Sequence, residues 1–398
     1  MADKAIFFST AGKWQVPAIL EAKNLGYKII AVDSNPDAIG LKLANFPLIT
    51  ELSDTKSIFD FIDALPVRVV ASISYCSEIG LTLAAKVREK LNLGYPNEME
   101  LEKFINKKKQ RQLIDSVGMP NPKWISIKNV NDSQIRQFCG NFEHPLIVKP
   151  LNSSGSRGVS HVENFSQLSG AIYEAQKNTN LNEILIEEFK FGTEYTVDFM
   201  VNNSILTIFV ITEKAKSKIT TKTVSSILRT LNPMSETGKK LQVFVEKITN
   251  IFSIKTGIFH LEAIVHNDYI FLVEIAIRGG GFGLSKYLIP EASGINHALL
   301  SIQIESRTLD GNPKINYKPS ILYFEPSKAG ILKSISGITE TNNINGVICE
   351  QLIASGSEMK FANSDGDRVL LIMISADSEN ELEDKFLRVK KLIKIEII

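Results

Sequence analysis

The apolar positions open on two short runs around an amphipathic stretch. Residues 4–9 (KAIFFS), apolar from Ala5 to Phe8, read as a buried strand. Val16 to Leu25 repeats at helical spacing until Gly26, and Tyr27 to Val32 is apolar again, ending in Asp33. Ser57–Ala64 predicts a second helix and Val67–Ile73 a third strand. Strands alternating with helices predict a parallel α/β layer. The polar loop SYCSEIG then falls at a strand's C-terminal end, where such sheets place ligands.

After Tyr95-Pro96 the pattern changes. Met99 to Val117 predicts one helix, crossed by the basic cluster INKKKQRQL and stopped by Gly118, with MPNPKW leaving as extended chain. HPLIVKP and ILIEEF read as strands, and a further strand begins near Glu194. FHLEAIVHNDYIFLVEIAIRGGGFG reads as a hairpin turning at Asn267 and Asp268. A helix at His297–Ile304 and a linker, Gly311-Asn312-Pro313, lead to the strands ILYFE, GVICEQLI and RVLLIMIS, with turns at Ser355-Gly356 and Asp365-Gly366. A helix over Glu379–Ile393 and a last strand, IEII, close a small α+β lobe without clustered chemistry, read as structural. No internal repeat, low-complexity tract or heptad is present.

Composition narrows the function classes. A length of 398 residues holds two or three domains. A net charge of +1 gives no electrostatic case for nucleic acid or a membrane surface. Cys76, Cys139 and Cys349 are far apart and form no CxxC, which argues against a zinc site or disulfide framework. No apolar run approaches the roughly 18 residues of a membrane span. A soluble cytoplasmic protein is expected. The opening βαβ unit imitates a dinucleotide fold, but Gly12 alone stands where GxGxxG needs three glycines.

Candidate chemistry sits where charge interrupts apolar sequence. Glu262 and Glu274 each interrupt a strand of the hairpin, where a carboxylate is costly unless paired or bound to metal. A two-residue turn would pair Glu262 with Val273 and put the two Glu on opposite faces. A three-residue loop, Asn267-Asp268-Tyr269, would set them side by side, where they suit Mg²⁺. Arg278, four residues on, can bind phosphate or carboxylate in two-pronged fashion. Lys149 ends an apolar strand before a Ser/Gly loop, Asn152 to Gly158, able to wrap phosphate oxygens. Lys107 and Arg111 share a helix face and can contact a phosphate chain together, although such clusters are commonly solvated. Glu78 can receive a substrate amine or cap the following helix, with the cap favoured. His260 shares a strand face with Glu262 and is either a ligand contact or a packed histidine. Among Lys214, Lys216, Lys218 and Lys222, one (Lys214 first) can reach a phosphate, and a solvated basic loop is the simpler reading.

Taken in order, Lys107 with Arg111, Lys149 with its loop, the EEFxxGxE segment and the Glu262/Glu274/Arg278 hairpin resemble the ATP-grasp superfamily of carboxylate–amine ligases. The resemblance covers most of the chain and includes L-amino-acid ligases and phosphoribosylglycinamide-synthetase-like enzymes. It implies a Rossmann-like pre-ATP-grasp domain over 1–94, an ATP-grasp domain over 95–310 with a lid lobe at about 123–190, and a C-terminal α+β lobe over 311–398. It implies ATP as co-substrate with Mg²⁺ or Mn²⁺. Lys107 and Lys149 match phosphate-contacting lysines, and Ser153, Ser154, Gly155, Ser156 and Gly158 match the lid over them. Glu187, Glu188 and Lys190 match the adenine edge, Glu194 the ribose acid, Glu262 and Glu274 the metal ligands. Arg278, with Lys149 and His260, falls to the catalytic set. The family pattern Glu-x-Asn-x-Arg departs here, because Ala276 stands at the Asn position. The implied reaction joins a carboxylate to an amine, first among amino acids, through an acylphosphate, releasing ADP and phosphate. The alternatives are a purine-biosynthesis-type ligase, a carboxylate kinase, or an inactive ATP-binding regulator. The expected partners are small molecules, with a homodimer as the assembly considered.

Overall fold

The structure is a computed structural model describing residues 3–128, 135, 137–138, 140, 145–216, 224–362 and 364–398. Cys139, Lys218 and Lys222 lie outside the described residues.

The N-terminal layer contains strands β1 (Asp3–Phe8), β2 (Lys28–Asp33), β3 (Phe46–Ile49) and β4 (Val67–Ile73), all parallel in the order β3-β2-β1-β4. Continuous burial of residues 5–8 and 29–32 follows from packing on both faces. The apparent dinucleotide acid is committed elsewhere. Asp33 accepts backbone N–H bonds from Ala11 at 2.8 Å and Asn35 at 3.0 Å, which pins the turn after β1.

One predicted helix is two. Helices Glu98–Ile105 and Lys107–Ser116 are separated at Asn106, whose extended backbone breaks the first and whose side chain caps the second by accepting from Lys108 and Lys109 N–H. Asn is among the best helix N-caps, so the stop is written in one residue that periodicity overlooks. The break frees the Lys107 N–H to donate to the Leu151 carbonyl at 3.1 Å, tying the basic helix to the lid lobe.

That lobe is an antiparallel sheet of β5 (Trp124–Ile127), β6 (Leu146–Pro150), β7 (Ser160–Val162) and β8 (Ile184–Glu188), ordered β5-β8-β6-β7. The remaining large element is an eight-stranded sheet. Its strands are β9 (Thr193–Asn202), β10 (Ile205–Lys216), β11 (Ser225–Thr230), β12 (Gly257–His266) and β13 (Tyr269–Ala276), with β14 (Ser320–Pro326), β16 (Val347–Gln351) and β18 (Arg368–Ser375). The three tail strands extend the sheet beyond β11 in the order β14-β18-β16, so the C-terminal segment is continuous with the larger lobe. Between them lie β15 (Gly330–Ser336) and β17 (Glu358–Met359), which with β19 (Lys394–Ile397) make a small separate sheet. The sequence pattern missed β15, whose residues are largely exposed and carry little apolar signal.

Alternation along this sheet decides where the chemistry goes. Val197, Phe199 and Val201 on β9 and Phe259, Leu261 and Ala263 on β12 pack into one core with Phe244, Val245 and Ile248 of the helix Glu236–Ile251. Glu194, Thr196 and Asp198, and His260 and Glu262, therefore occupy the other face. The hairpin obeys both of the turn alternatives in part. His266 pairs with Tyr269, so the turn has two residues, yet Glu262 pairs with Glu274. The register shifts by one between Glu262 and Ala263, because Val273 is the extra residue of a β-bulge. Without it Glu274 would follow Leu272 onto the core face; with it, Glu274 and Ala276 stand beside Glu262 and His260.

Candidate active site

The polar face carries a continuous chain of ion pairs. Lys214 bridges Glu194 at 2.6 Å and Glu262 at 3.0 Å, and Lys216 reaches the other oxygen of Glu194 at 2.8 Å. His260 meets Asp198 through Nδ1 at 2.9 Å and lies 3.5 Å from Glu262 through Nε2. Across the hairpin, Lys107 pairs with Glu274 at 2.8 Å and donates to the Ser153 carbonyl at 2.7 Å. Burial alone would raise both carboxyls, but Lys214 and His260 hold Glu262 far below the ordinary range, and Lys107 holds Glu274 below it. Burial would likewise depress the His260 imidazole, yet Asp198 and Glu262 outweigh it and keep the ring cationic up to about pH 9. His260 is thus neither a simple packed residue nor a neutral base. It is a charged partner of Glu262.

Lys107 and Arg111 do not act together as their spacing suggested. Arg111 turns to Glu187, donating from Nε at 2.8 Å, and its Nη2 donates to the Val273 carbonyl at 3.0 Å. The bulge that positions Glu274 is therefore anchored by a buried guanidinium. Lys149 is the second partner of Glu187. Burial pushes the Lys149 ammonium down to about 8 against the pull of Glu187, while Arg111 and Lys149 overcome burial and hold Glu187 at about 2.

Two chambers open on this face. The smaller, about 130 Å³, is lined by Lys149, Glu187, Glu188, Lys190 and Glu194, with Ile147, Phe189, Phe271 and Leu272 as apolar walls. Glu188 pairs with Lys190 at 2.8 Å, and Lys190 lies 4.8 Å from the Phe271 ring centroid. Ser153, Ser154, Gly155 and Ser156 roof it, with Gly155 at φ 65° and Ser156 at φ 60°. Gly158 does not line it. At φ 72° it holds a left-handed turn of the loop, where a side chain would strike Asn178 and Pro150.

The larger chamber, about 410 Å³, shares Ser154, Gly155, Lys214, Glu262, Glu274 and Asp365 with the first. Arg278 and Glu78 form one wall, paired at 3.0 Å. Glu78 thus serves as the counter-ion of Arg278 and not as the helix cap favoured from sequence: the helix Leu81–Lys90 has no side-chain cap, and a buried guanidinium needs a carboxylate more than an exposed N–H does. The glycines after Arg278 allow close approach: Gly279 N–H donates to the Tyr75 carbonyl at 3.0 Å, and a Cβ there would collide with Ser285 and His297. Cys76, also in the wall, donates to the Trp14 carbonyl, and burial pushes its thiol up to about 12, so it stays protonated.

The tail, expected to carry no chemistry, supplies part of this chamber. Asp365 donates its N–H to the Gly155 carbonyl of the lid at 3.1 Å, and Arg368 pairs with Asp365 at 2.7 Å. Trp14, Phe282 and Phe324 complete the wall. Sequence reasoning missed these residues because they come together from distant segments. The one available signal was an arginine opening the otherwise apolar run RVLLIMIS.

Among the described residues no group of three or more His, Cys, Asp or Glu side chains is placed to hold a metal ion. The donor set nevertheless fits Mg²⁺ held jointly with a nucleotide. Glu262 engages its partners through Oε1 and Glu274 through Oε2, leaving the second oxygen of each without a hydrogen bond among the described residues. Mg²⁺ commonly takes one or two carboxylates and completes its shell with phosphate and water. Since Lys107, Lys214 and His260 already neutralise both carboxylates and Ala276 adds no oxygen, the protein alone is expected to bind Mg²⁺ weakly. Calorimetric titration checks this: no micromolar site without nucleotide, and tighter binding with nucleotide in Ala276→Asn than in the natural protein. Micromolar binding to the free protein would contradict it.

Residues 142–286 match the family profile of the ATP-grasp domain. A formate-dependent phosphoribosylglycinamide formyltransferase of Prochlorococcus marinus (strain MIT 9515) is 28% identical over 205 residues, 49% of this chain, and the chain spans about half of that relative's length (50%). Among solved structures, the L-amino acid ligase from Bacillus licheniformis superposes over 100% of both chains with TM-score 0.82 at 20% identity. The biotin carboxylase domain of 2-oxoglutarate carboxylase from Hydrogenobacter thermophilus, solved with MgADP and bicarbonate, covers 100% of this chain and 91% of its own with TM-score 0.74 at 13% identity. No helix among the described residues is long and apolar enough to cross a membrane. The chain carries an ATP-grasp domain and has the ATP-grasp fold along its whole length.

Proposed function

We propose that this protein is an ATP- and Mg²⁺-dependent ligase that joins a carboxylate to an amine, with amino acids as the substrate class. The observation carrying the reading is the junction of the two chambers at Glu262, Glu274 and Lys214. A nucleotide in the smaller chamber would present its γ-phosphate there to an acceptor in the larger one. A similar fold has been solved with MgADP, which supports a nucleotide as the ligand. Mg²⁺, held by Glu262 and Glu274 with phosphate oxygens, would supply charge neutralisation.

In the first step a carboxylate oxygen attacks the γ-phosphorus, the bridging P–O bond breaks and ADP leaves. In the second an amine nitrogen attacks the acyl carbon, the C–O bond to phosphate breaks, and the amine gives up a proton. Arg278, preset by Glu78, faces negative charge on the acyl phosphate. Lys214 and Lys107 release part of their pairing with Glu262 and Glu274 toward phosphate. The Gly155–Asp365 contact closes the lid over the junction and excludes water, which would hydrolyse the acylphosphate. A purine-type ligase is the second reading, favoured by the similarity to the formyltransferase.

The expected nucleotide product is ADP, with phosphate. Chromatography of turnover mixtures containing amino acids, or amines bearing a phosphate monoester, tests both readings. AMP as the major product would overturn the acylphosphate route.

A further inference from the structure

Four buried side-chain atoms without a hydrogen-bond partner among the described residues belong to residues around one chamber. They are Thr10 Oγ1, Ser225 Oγ, Arg278 Nε and Arg368 Nε, all from residues lining the larger cavity. Of the two arginines, Arg278 is matched in charge: Glu78 and Glu274 overcome burial and hold its guanidinium above the ordinary range. Arg368 is not. It is 3% exposed, donates to Asp365 at 2.7 Å and to the Ser225 carbonyl at 3.1 Å through the same Nη2, and lies 3.7 Å from the Phe324 ring centroid and 5.2 Å from that of Phe282. Burial pulls its pKa below the usual value despite Asp365 and Glu262. A buried guanidinium that makes all its hydrogen bonds through one nitrogen leaves donors unpaired at a cost, which a ligand anion removes.

The chamber's own charge says which anion. Its lining includes five carboxylates and five Lys or Arg side chains, alongside His260. A phosphate dianion would exceed the single surplus cation that His260 adds to this lining. A molecule bearing one carboxylate and one ammonium leaves the balance intact, and Trp14, Phe282 and Phe324 offer an apolar wall to its side chain.

We propose that Arg368 is a specificity residue that binds the non-reacting carboxylate of an α-amino-acid acceptor, stacked in place by Phe324 and oriented by Asp365. The assignment rests on the ligase reading and deepens it. Bound so, the acceptor's amine is directed toward the Glu262–Glu274 junction, while its own carboxylate is kept from being phosphorylated.

The test uses the full chain with ATP, Mg²⁺ and amino-acid mixtures, reading ADP release, then compares the active acceptor with its α-carboxamide. Wild-type kcat/KM is expected to fall about 10–100-fold with the amide, the scale of a lost charged hydrogen bond. Arg368→Gln should lose a similar factor with the acid and discriminate acid from amide no more than about threefold. Nucleotide titration of the variant reports whether the fold survives. If it does not, Arg368→Lys is measured, which keeps the charge without the two-pronged contact and should discriminate less than wild type. An unchanged acid-to-amide ratio in a nucleotide-binding variant overturns the assignment, as does equal use of acid and amide by the wild type. Preference for O-phosphoethanolamine over glycine would also overturn it, in favour of phosphate. No ADP release with any carboxylate–amine mixture would remove the ligase reading itself, whereas equal rates for acid and amide leave that reading standing.

Discussion

Glu274→Gln is expected to lower kcat by about 10²–10³, the scale of one lost electrostatic stabiliser in a preorganised site. The substitution keeps the shape and removes the charge. Two effects then add. The oxygen that Glu274 leaves open beside Glu262 becomes a weaker metal donor. Lys107, now without its carboxylate 2.8 Å away, is buried with the Ser153 carbonyl as its remaining close acceptor among the described residues. Its charge would be drawn more tightly to the nucleotide, so apparent ATP affinity should change far less than turnover. Steady-state kinetics at several Mg²⁺ concentrations separate the two. A variant with wild-type kcat at low Mg²⁺ would show that the bulged hairpin does not carry the metal.

The second large effect is on stability. Lys214 is buried and holds both Glu194 and Glu262, so Lys214→Met takes the bridging cation from two buried carboxylates and leaves Glu194 to Lys216 and Glu262 to His260 at 3.5 Å. Removing one partner from a buried ion pair typically costs about 3–5 kcal/mol. Lys216 also meets Glu194, but its side chain is 36% exposed, and Lys216→Met should cost under about 1 kcal/mol. Urea denaturation of both variants beside wild type, without nucleotide, makes the comparison. Similar losses for the two would mean that water reaches Glu194 and Glu262 freely. The sign with pH follows from the directions of the shifts. Glu262 is depressed, so its share of stability is present above the ordinary carboxylate range and lost on acidification. Lys214 is raised, so its share is present below the ordinary lysine range and lost only in strong alkali. Wild type and Lys214→Met should therefore converge as the medium is acidified.

The sequence by itself determined the βαβ opening, the hairpin and the isolated charges that the candidate site brings together. Periodicity specifies β4 to the residue, and the isolated charges Lys149, Glu262 and Glu274 in apolar strands mark the site, because a strand buries such groups only for a reason. Asn106 and its cap were written in one residue, which the helical period of Met99 to Val117 passed over. Which side of the hairpin Glu274 would occupy was not. The doublet Leu272-Val273 is compatible with either register, and the bulge is settled only when Arg111, from a helix more than 160 residues earlier in the chain, takes the Val273 carbonyl. The pairing of Arg278 with Glu78, at a separation of 200 residues, and of Gly155 with Asp365 is equally a matter of tertiary structure. Local pattern records the face and period of each element, since those depend on neighbours along the chain. Which buried charge meets which counter-charge depends on how the elements stack, and that decided the shape, the charge balance and the aromatic wall of the acceptor chamber.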